Sequence, residues 1–368
     1  MKLTTLLFFL PLFIAASEAS AQQKCTIEGT VDKASGYDKA FLTTVIDNRL
    51  KNLDSAKIVD GKFTLTTVRK ALPEALYVFV GQGRNSFSQV VFTDADKIQV
   101  TQEKGLKELS TGGSATNAGY TGLVKANEQY QKAEDAVYEK YNATKDETLR
   151  KQYISQMDSI DTHILANRIK YLDKNTDNIL GLFILNQSFY DLGGEKTEAY
   201  YNKVPSDLQA SPLALRIGKY IENDKKCRPG MDYKDCAMVT PEGKPIKLSD
   251  FVGKSKVVLI DFWASWCGPC RAEMPNVVKL YGECKDKGLQ IVGVSLDHDG
   301  AAWKATLKRL NMSWPQMSDL KGWKCQGAQL YGIQSIPATV LVGKDGKIVA
   351  KNLRGEELAK KVRELLGQ

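Results

Sequence analysis

The sequence predicts a multidomain chain: an N-terminal antiparallel β-sandwich, a middle α-helical region and a C-terminal α/β fold. Three textures carry this reading. Short bursts of period-two alternation fill Cys25 to Thr101, and a run rich in Glu, Lys, Ala, Gln and Tyr then follows Thr111-Gly112-Gly113-Ser114, proline-free until Pro205. Beyond Pro229, continuous apolar runs alternate with amphipathic segments. The expected boundaries are 1–21 for a leader, then 22–111, 112–228 and 229–368.

The leader carries Lys2, an apolar run to Ala16 and the small-x-small pattern Ala19-Ser20-Ala21, which suits signal peptidase and places the mature start at Gln22. Pro11 interrupts the run, and it falls short of the roughly 20 residues that span a bilayer. A cleaved export signal and a periplasmic destination are therefore expected. Lipid attachment at Cys25 is disfavoured, because Gln22, Gln23 and Lys24 stand where a lipoprotein peptidase needs a small residue.

In the β-rich region, Ala40 to Val45 and Phe63 to Val68 read as strands, and Asp60-Gly61 supplies the positive φ angles of a tight hairpin. In the helical region, Tyr120, Leu123, Ala126, Tyr130, Ala133 and Val137 fall on one stripe, and the spacing recurs in Tyr153, Met157 and Ile160 and around Ile179 to Phe189. Such a stripe is a packing seam, and four to six helices are expected. Arg228-Pro229-Gly230 marks the next boundary. In the last region, Val257 to Ile260 and Leu289 to Val294 suit strands buried on both faces. Helices are expected from Cys267 to Cys284, Ala301 to Leu310 and Glu356 to Leu366. A hairpin is expected around Lys344-Asp345-Gly346, so the whole implies a mixed sheet with helices on both faces.

The net charge of +8 arises mainly after residue 230, where 21 basic residues face 15 acidic ones; these are scattered through helices rather than clustered with aromatics, which argues against a nucleic-acid partner. Seven cysteines in an exported chain permit disulfides and leave at least one thiol without an internal partner.

The informative stretch is Asp261-Phe262-Trp263-Ala264-Ser265-Trp266-Cys267-Gly268-Pro269-Cys270-Arg271, where a buried strand gives way to a helix. Unpaired backbone N–H groups and the macrodipole at a helix N-terminus favour an anion, so Cys267 should hold its thiolate below the roughly 8.5 of a free thiol. Cys267 is then the nucleophile, and Cys270, one turn on, can attack the mixed disulfide and release the substrate. No cofactor is needed. Half of a zinc site fails on ligand supply, since the chain has only His163 and His298 and no second Cys-x-x-Cys pair. Both histidines are expected at the surface.

Trp266-Cys267-Gly268-Pro269-Cys270 after an apolar strand, followed by Ser335-Ile336-Pro337-Ala338-Thr339, resembles thioredoxin over about 140 residues. Arg271-Ala272-Glu273-Met274-Pro275 and the extra segment from Val294 to Trp303 make it similar to the TlpA-like and ResA-like thiol-disulfide oxidoreductases of bacterial envelopes. The upstream β-rich segment resembles, more loosely, an uncharacterised domain often fused to such thioredoxins. The resemblance implies a C-terminal thioredoxin-like fold. It also implies a cis Ile336-Pro337 peptide beside the cysteines, with the Ile336 backbone free to pair with an extended substrate and Trp266 offering it an apolar surface. It further implies that Asp261, the only charge in its strand, relays a proton to or from Cys270, and that Glu273 is the acid these proteins keep near their cysteines. TlpA-like members often carry Asn at the Asp261 position, so this chain departs toward thioredoxin there.

Cys227 and Cys236 enclose a Pro-Gly turn and are expected to form a structural disulfide. Cys284 is expected to be a buried small hydrophobe and Cys25 to be unpaired; a place for Cys325 near the active-site edge, as a third resolving or regulating thiol, is the less favoured reading. The leading expectation is a reductase for disulfide-containing exported proteins, fed by a membrane electron donor. A disulfide oxidase or isomerase is the alternative. A thiol peroxidase is disfavoured, because Ala264 stands where that family places Thr or Ser three residues before its reactive Cys. The β-rich and helical regions carry no catalytic constellation and leave open a docking or dimerising role.

Overall fold

The structure, a computed structural model, describes residues 23–46, 49–81, 86–102 and 109–368, so the expected leader and its cleavage point lie outside the described residues. Two compact units meet between Ala118 and Gly119.

The first unit is built from β1 (Lys24–Thr30), β2 (Lys39–Ile46), β3 (Arg49–Lys57), β4 (Lys62–Val68), β5 (Ala75–Val80), β6 (Phe87–Phe92), β7 (Lys97–Gln102) and β8 (Leu109–Gly112). They form two four-stranded sheets, ordered β4-β1-β7-β8 and β3-β2-β5-β6. Alternation does the sorting: β1 buries Cys25, Ile27 and Gly29 while Lys24, Glu28 and Thr30 face solvent. Both sheets feed one buried cluster, with Ile27, Leu65 and Ile98 from the first and Leu42, Val78 and Val91 from the second. Gly29 is required here, since a Cβ would fall 1.9 Å from the ring of Phe63, its cross-strand partner. Asp60 and Gly61 adopt φ of 54° and 75°, and Val59 and Lys62 exchange backbone hydrogen bonds around them. One expectation is corrected. The strands are not all antiparallel, because β1 pairs parallel with β7. The whole second sheet lies between them in sequence, long enough a connection to bring β7 back in the direction of β1.

Helix α1 (Ala115–Ala143) leads into the second unit, followed by α2 (Glu147–Leu172), α3 (Ile179–Tyr201) and α4 (Pro212–Lys225). Asp146, Asn178 and Ser211 accept first-turn N–H groups at the starts of α2, α3 and α4, and Pro212 occupies the first turn of α4. Gly193, at φ 75°, kinks α3. Of the stripe expected on α1, Leu123 and Val137 are buried, Tyr120, Ala126 and Tyr130 are half-buried and Ala133 is exposed; Tyr153, Met157 and Ile160 on α2 are half-buried, and α3 is buried continuously from Ile179 to Leu185 rather than along one stripe.

The rest of the unit contains β9 (Ala237–Val239), β10 (Pro245–Lys247), β11 (Val257–Trp263), α5 (Gly268–Cys284), β12 (Leu289–Ser295), α6 (Gly300–Arg309), β13 (Gln316–Met317), α7 (Gln326–Leu330), β14 (Ala338–Gly343), β15 (Ile348–Lys351) and α8 (Gly355–Leu366). The central sheet runs β13-β12-β11-β14-β15. Its first three strands are parallel, and β14 and β15 return antiparallel. β11 is buried at all seven positions, which is why its sequence shows no alternation.

The helical region and the thioredoxin-like region are tied by charge. Asp224 accepts hydrogen bonds from Arg228 Nε at 2.7 Å and from Lys351 Nζ on β15 at 3.1 Å, and Glu198 accepts from Arg228 Nη2 at 2.8 Å. The expected Cys227–Cys236 disulfide is not formed. Both are free, buried thiols, with Cys227 Sγ donating to the Leu330 carbonyl at 3.4 Å and Cys236 packed beside Gly327. The segment between them is held instead by main-chain bonds: Gly230 N–H to Ile348 O, Ile348 N–H to Met231 O and Tyr233 N–H to Gly346 O. Cys25 and Cys284 are also buried and free. Cys325 is fully buried, its sulfur 4.0 Å from Met238 Sδ.

Candidate active site

The end of β11 and the start of α5 place the cysteines. Cys267 is the N-cap of α5, with Gly268 and Pro269 forming its first turn. Cys267 and Cys270 are joined in a disulfide, with Cα atoms 5.3 Å apart, and the Cys270 N–H donates to Cys267 Sγ at 3.1 Å. In the reduced state that N–H and the helix dipole would stabilise a thiolate at Cys267. Cys267 is 5% exposed and Cys270 1%, so both are buried and Cys270 the more completely.

Trp266, 52% exposed, stands beside Cys267, with the Trp323 ring 6.1 Å away. The Ile336-Pro337 peptide is cis, and the Ile336 carbonyl oxygen lies 3.7 Å from Cys267 Sγ. Ile336 thus lies against Cys267 Sγ, Pro337 follows it across the cis peptide, and Trp266 precedes Cys267 in the chain.

Asp261 sits on β11, 3% exposed, and its Oδ2 has no hydrogen-bond partner. Loss of solvent, reinforced by the nearby Glu273 charge, pushes its carboxyl up to about 7. The acid thus titrates in the range where a proton relay works. Glu273 is engaged elsewhere: Oε1 accepts the Gly355 N–H at the start of α8 at 2.6 Å, and Oε2 accepts from Asn276 Nδ2 at 3.0 Å. Its charge reaches Asp261, and its hydrogen bonds go to the start of α8 and to Asn276 rather than to a cysteine.

Three further residues hold the site, and the sequence reading gave none of them a role. Asp297, 1% exposed, accepts from Ser265 N–H at 3.0 Å, Ser265 Oγ at 2.5 Å and Ser295 Oγ at 2.7 Å. Arg271 Nη1 donates to Ser265 O at 2.7 Å, so the turn before Cys267 is pinned from both sides. Arg354 Nη2 donates to Pro337 O at 2.6 Å, fixing the opposite loop. Asp297 lies in the extra segment that marked the family, but nothing in the linear order paired it with Ser265.

Residues 229–351 match the model of the AhpC/TSA family, and residues 25–120 match a domain of unknown function, DUF4369. The thiol-disulfide oxidoreductase ResA of Bacillus cereus is 32% identical over 147 residues, 40% of this chain and 82% of that protein. ResA of Halalkalibacterium halodurans is 35% identical over 127 residues, 34% of this chain and 69% of that protein. A solved thioredoxin domain of a thiol-disulfide oxidoreductase from Bacteroides vulgatus is 35% identical, with 38% of this chain and 98% of that chain covered and a TM-score of 0.36. With its cysteine pair capping α5 at the end of β11, and with this likeness over most of the length of ResA, the chain belongs to the ResA-like thiol-disulfide oxidoreductases of the thioredoxin superfamily, preceded by a DUF4369 domain.

Proposed function

We propose that the protein reduces disulfides in exported proteins within the bacterial cell envelope, reached through the leader at 1–21, and that a membrane electron donor returns it to the dithiol form. The observation that carries this reading is the Cys267–Cys270 disulfide at the N-terminus of α5, with Cys267 capping the helix and Cys270 the more deeply buried of the two. Gly268-Pro269 between the cysteines resembles the reducing thioredoxins rather than the oxidising DsbA type.

The Cys267 thiolate attacks one sulfur of a substrate disulfide. The substrate's other sulfur leaves as a thiolate, and a mixed disulfide forms. Cys270 then gives up its proton, with Asp261 as the relay, and its thiolate attacks Cys267 Sγ. The second substrate sulfur leaves, so the substrate gains two electrons and the chain ends in the Cys267–Cys270 disulfide. Trp266 and the Ile336 backbone mark where the substrate would lie across the reacting sulfurs. The match to the AhpC/TSA family does not favour peroxidase chemistry, because Ala264 stands three residues before Cys267, where that family places Thr or Ser.

The deciding experiment is the equilibrium potential of the pair in thiol buffers, followed by Trp fluorescence, with Cys270→Ser as control. A potential near or below about −250 mV supports a reductase. One above about −180 mV replaces it with an oxidase or isomerase.

A further inference from the structure

Beside the redox pair lies a cleft of about 480 Å³ that starts at Gly268 and follows one face of α5 to Lys279. At 1.5 Å per helical residue that face is about 16 Å long, the length of roughly five extended residues. Arg150 from α2, Arg271 from α5 and Arg309 from the end of α6 line it, over apolar ground at Pro275, Val278 and Leu310. Arg271 already donates to Ser265 O, while the Arg150 guanidinium lies 4.4 Å from the Tyr141 ring centroid with its buried Nε lacking a hydrogen-bond partner. Among the described residues, none of the three arginines forms an ion pair; Lys279 has Glu283 at 4.0 Å. A Cβ on Gly268 would lie 3.9 Å from the Tyr141 hydroxyl, so the helical region borders the turn that holds the disulfide.

We infer that this cleft is a substrate subsite for an acidic stretch of polypeptide next to the disulfide being exchanged. The inference rests on the proposed disulfide reductase reading and names a substrate class for the same site. Three guanidiniums without carboxylate partners among the described residues match carboxylate side chains, which they can hold by charge-assisted hydrogen bonds. The length of the cleft and its apolar floor suit an extended chain, which would continue toward Trp266 and Ile336 past Cys267. The redox step is unchanged: two electrons pass from the Cys267/Cys270 dithiol to the substrate disulfide.

The test uses the full chain, pre-reduced, in single turnovers with two disulfide-bonded peptides that differ only in carrying Glu or Gln two to four residues from the cysteine. In low salt the Glu peptide should react at least about fivefold faster, and the advantage should shrink at about 0.5 M salt. The Glu-to-Gln ratio should move toward one in Arg150→Gln/Arg309→Gln, a readout that general loss of folding would not change selectively. A ratio of one in the wild type, or a ratio unaltered in the double variant, overturns the subsite. Calorimetric binding of the same peptides with Ser in place of Cys to the oxidised chain separates the two readings. Preferential Glu binding without reduction of either peptide sinks the reductase and keeps the subsite, and equal binding sinks the subsite.

Discussion

Asp261→Asn isolates the buried acid with almost no change of shape. Burial raises the Asp261 carboxyl from an ordinary 3.8 to about 7. Between those values the folded chain holds a proton that the unfolded chain releases, so stability falls as pH rises through that window and the loss is complete above pH 7. A shift of about three units corresponds to about 4 kcal/mol. Asn carries no such penalty. The stability curves of wild type and variant should therefore run together near pH 4 and separate by about 4 kcal/mol by pH 8, with the variant the more stable. All five tryptophans, Trp263, Trp266, Trp303, Trp314 and Trp323, lie in the thioredoxin-like region, so guanidinium melts of the oxidised protein followed by Trp fluorescence read that region. Curves that stay parallel across this range would refute the buried-acid argument. If Asp261 also serves as the relay, the inflection near pH 7 in the rate of substrate reduction should vanish in the variant; an inflection that persists would remove the relay and leave the stability effect.

Asp297→Ala removes an acceptor serving Ser265 and Ser295 and should destabilise the same Trp-reported transition by about 3 kcal/mol while slowing substrate reduction; an unchanged melt would show that the turn before Cys267 is held by other means. Gly194→Ala would set a Cβ 1.6 Å from Asp224 Oδ2, displacing the carboxylate from Arg228 and Lys351. Loss of that buried pairing should cost about 3 kcal/mol and open the segment around Arg228 to protease, whereas wild-type protease resistance would refute the tie. Alkylation after denaturation without reductant should label five thiols, Cys25, Cys227, Cys236, Cys284 and Cys325. Three labels would restore the Cys227–Cys236 disulfide.

Much of the site was legible because its chemistry is local. A nucleophile needs a helix N-terminus, so Cys267, Gly268, Pro269 and Cys270 sit within one turn after an apolar strand, and the same turn declares both fold and reaction. β11 was readable because burial on both faces removes alternation, and the hairpin at Asp60-Gly61 because positive φ selects those residues. The parallel β1–β7 pairing was not readable, since period-two alternation is the same in both strand directions. The β9–β10 pair and α7 are too short to show a period.

The cysteines show where local reasoning ends. Cys227 and Cys236 are close in sequence around a turn, yet main-chain pairing with the β15 hairpin holds that segment and both thiols stay free in the same buried core. Glu273 read as an acid beside the cysteines, whereas its carboxylate closes the N-terminus of α8, which begins at Gly355. By itself, then, the sequence determined the redox pair, the strand-to-helix turn that activates it and the acid buried beneath it, because each follows from neighbours along the chain. Only the tertiary structure decided which thiols stay apart, how Asp297 and Arg354 pin the two loops at the disulfide, and that Tyr141 borders the active-site turn, because those contacts join residues far apart in the chain whose side chains meet only once the sheet and helices have packed.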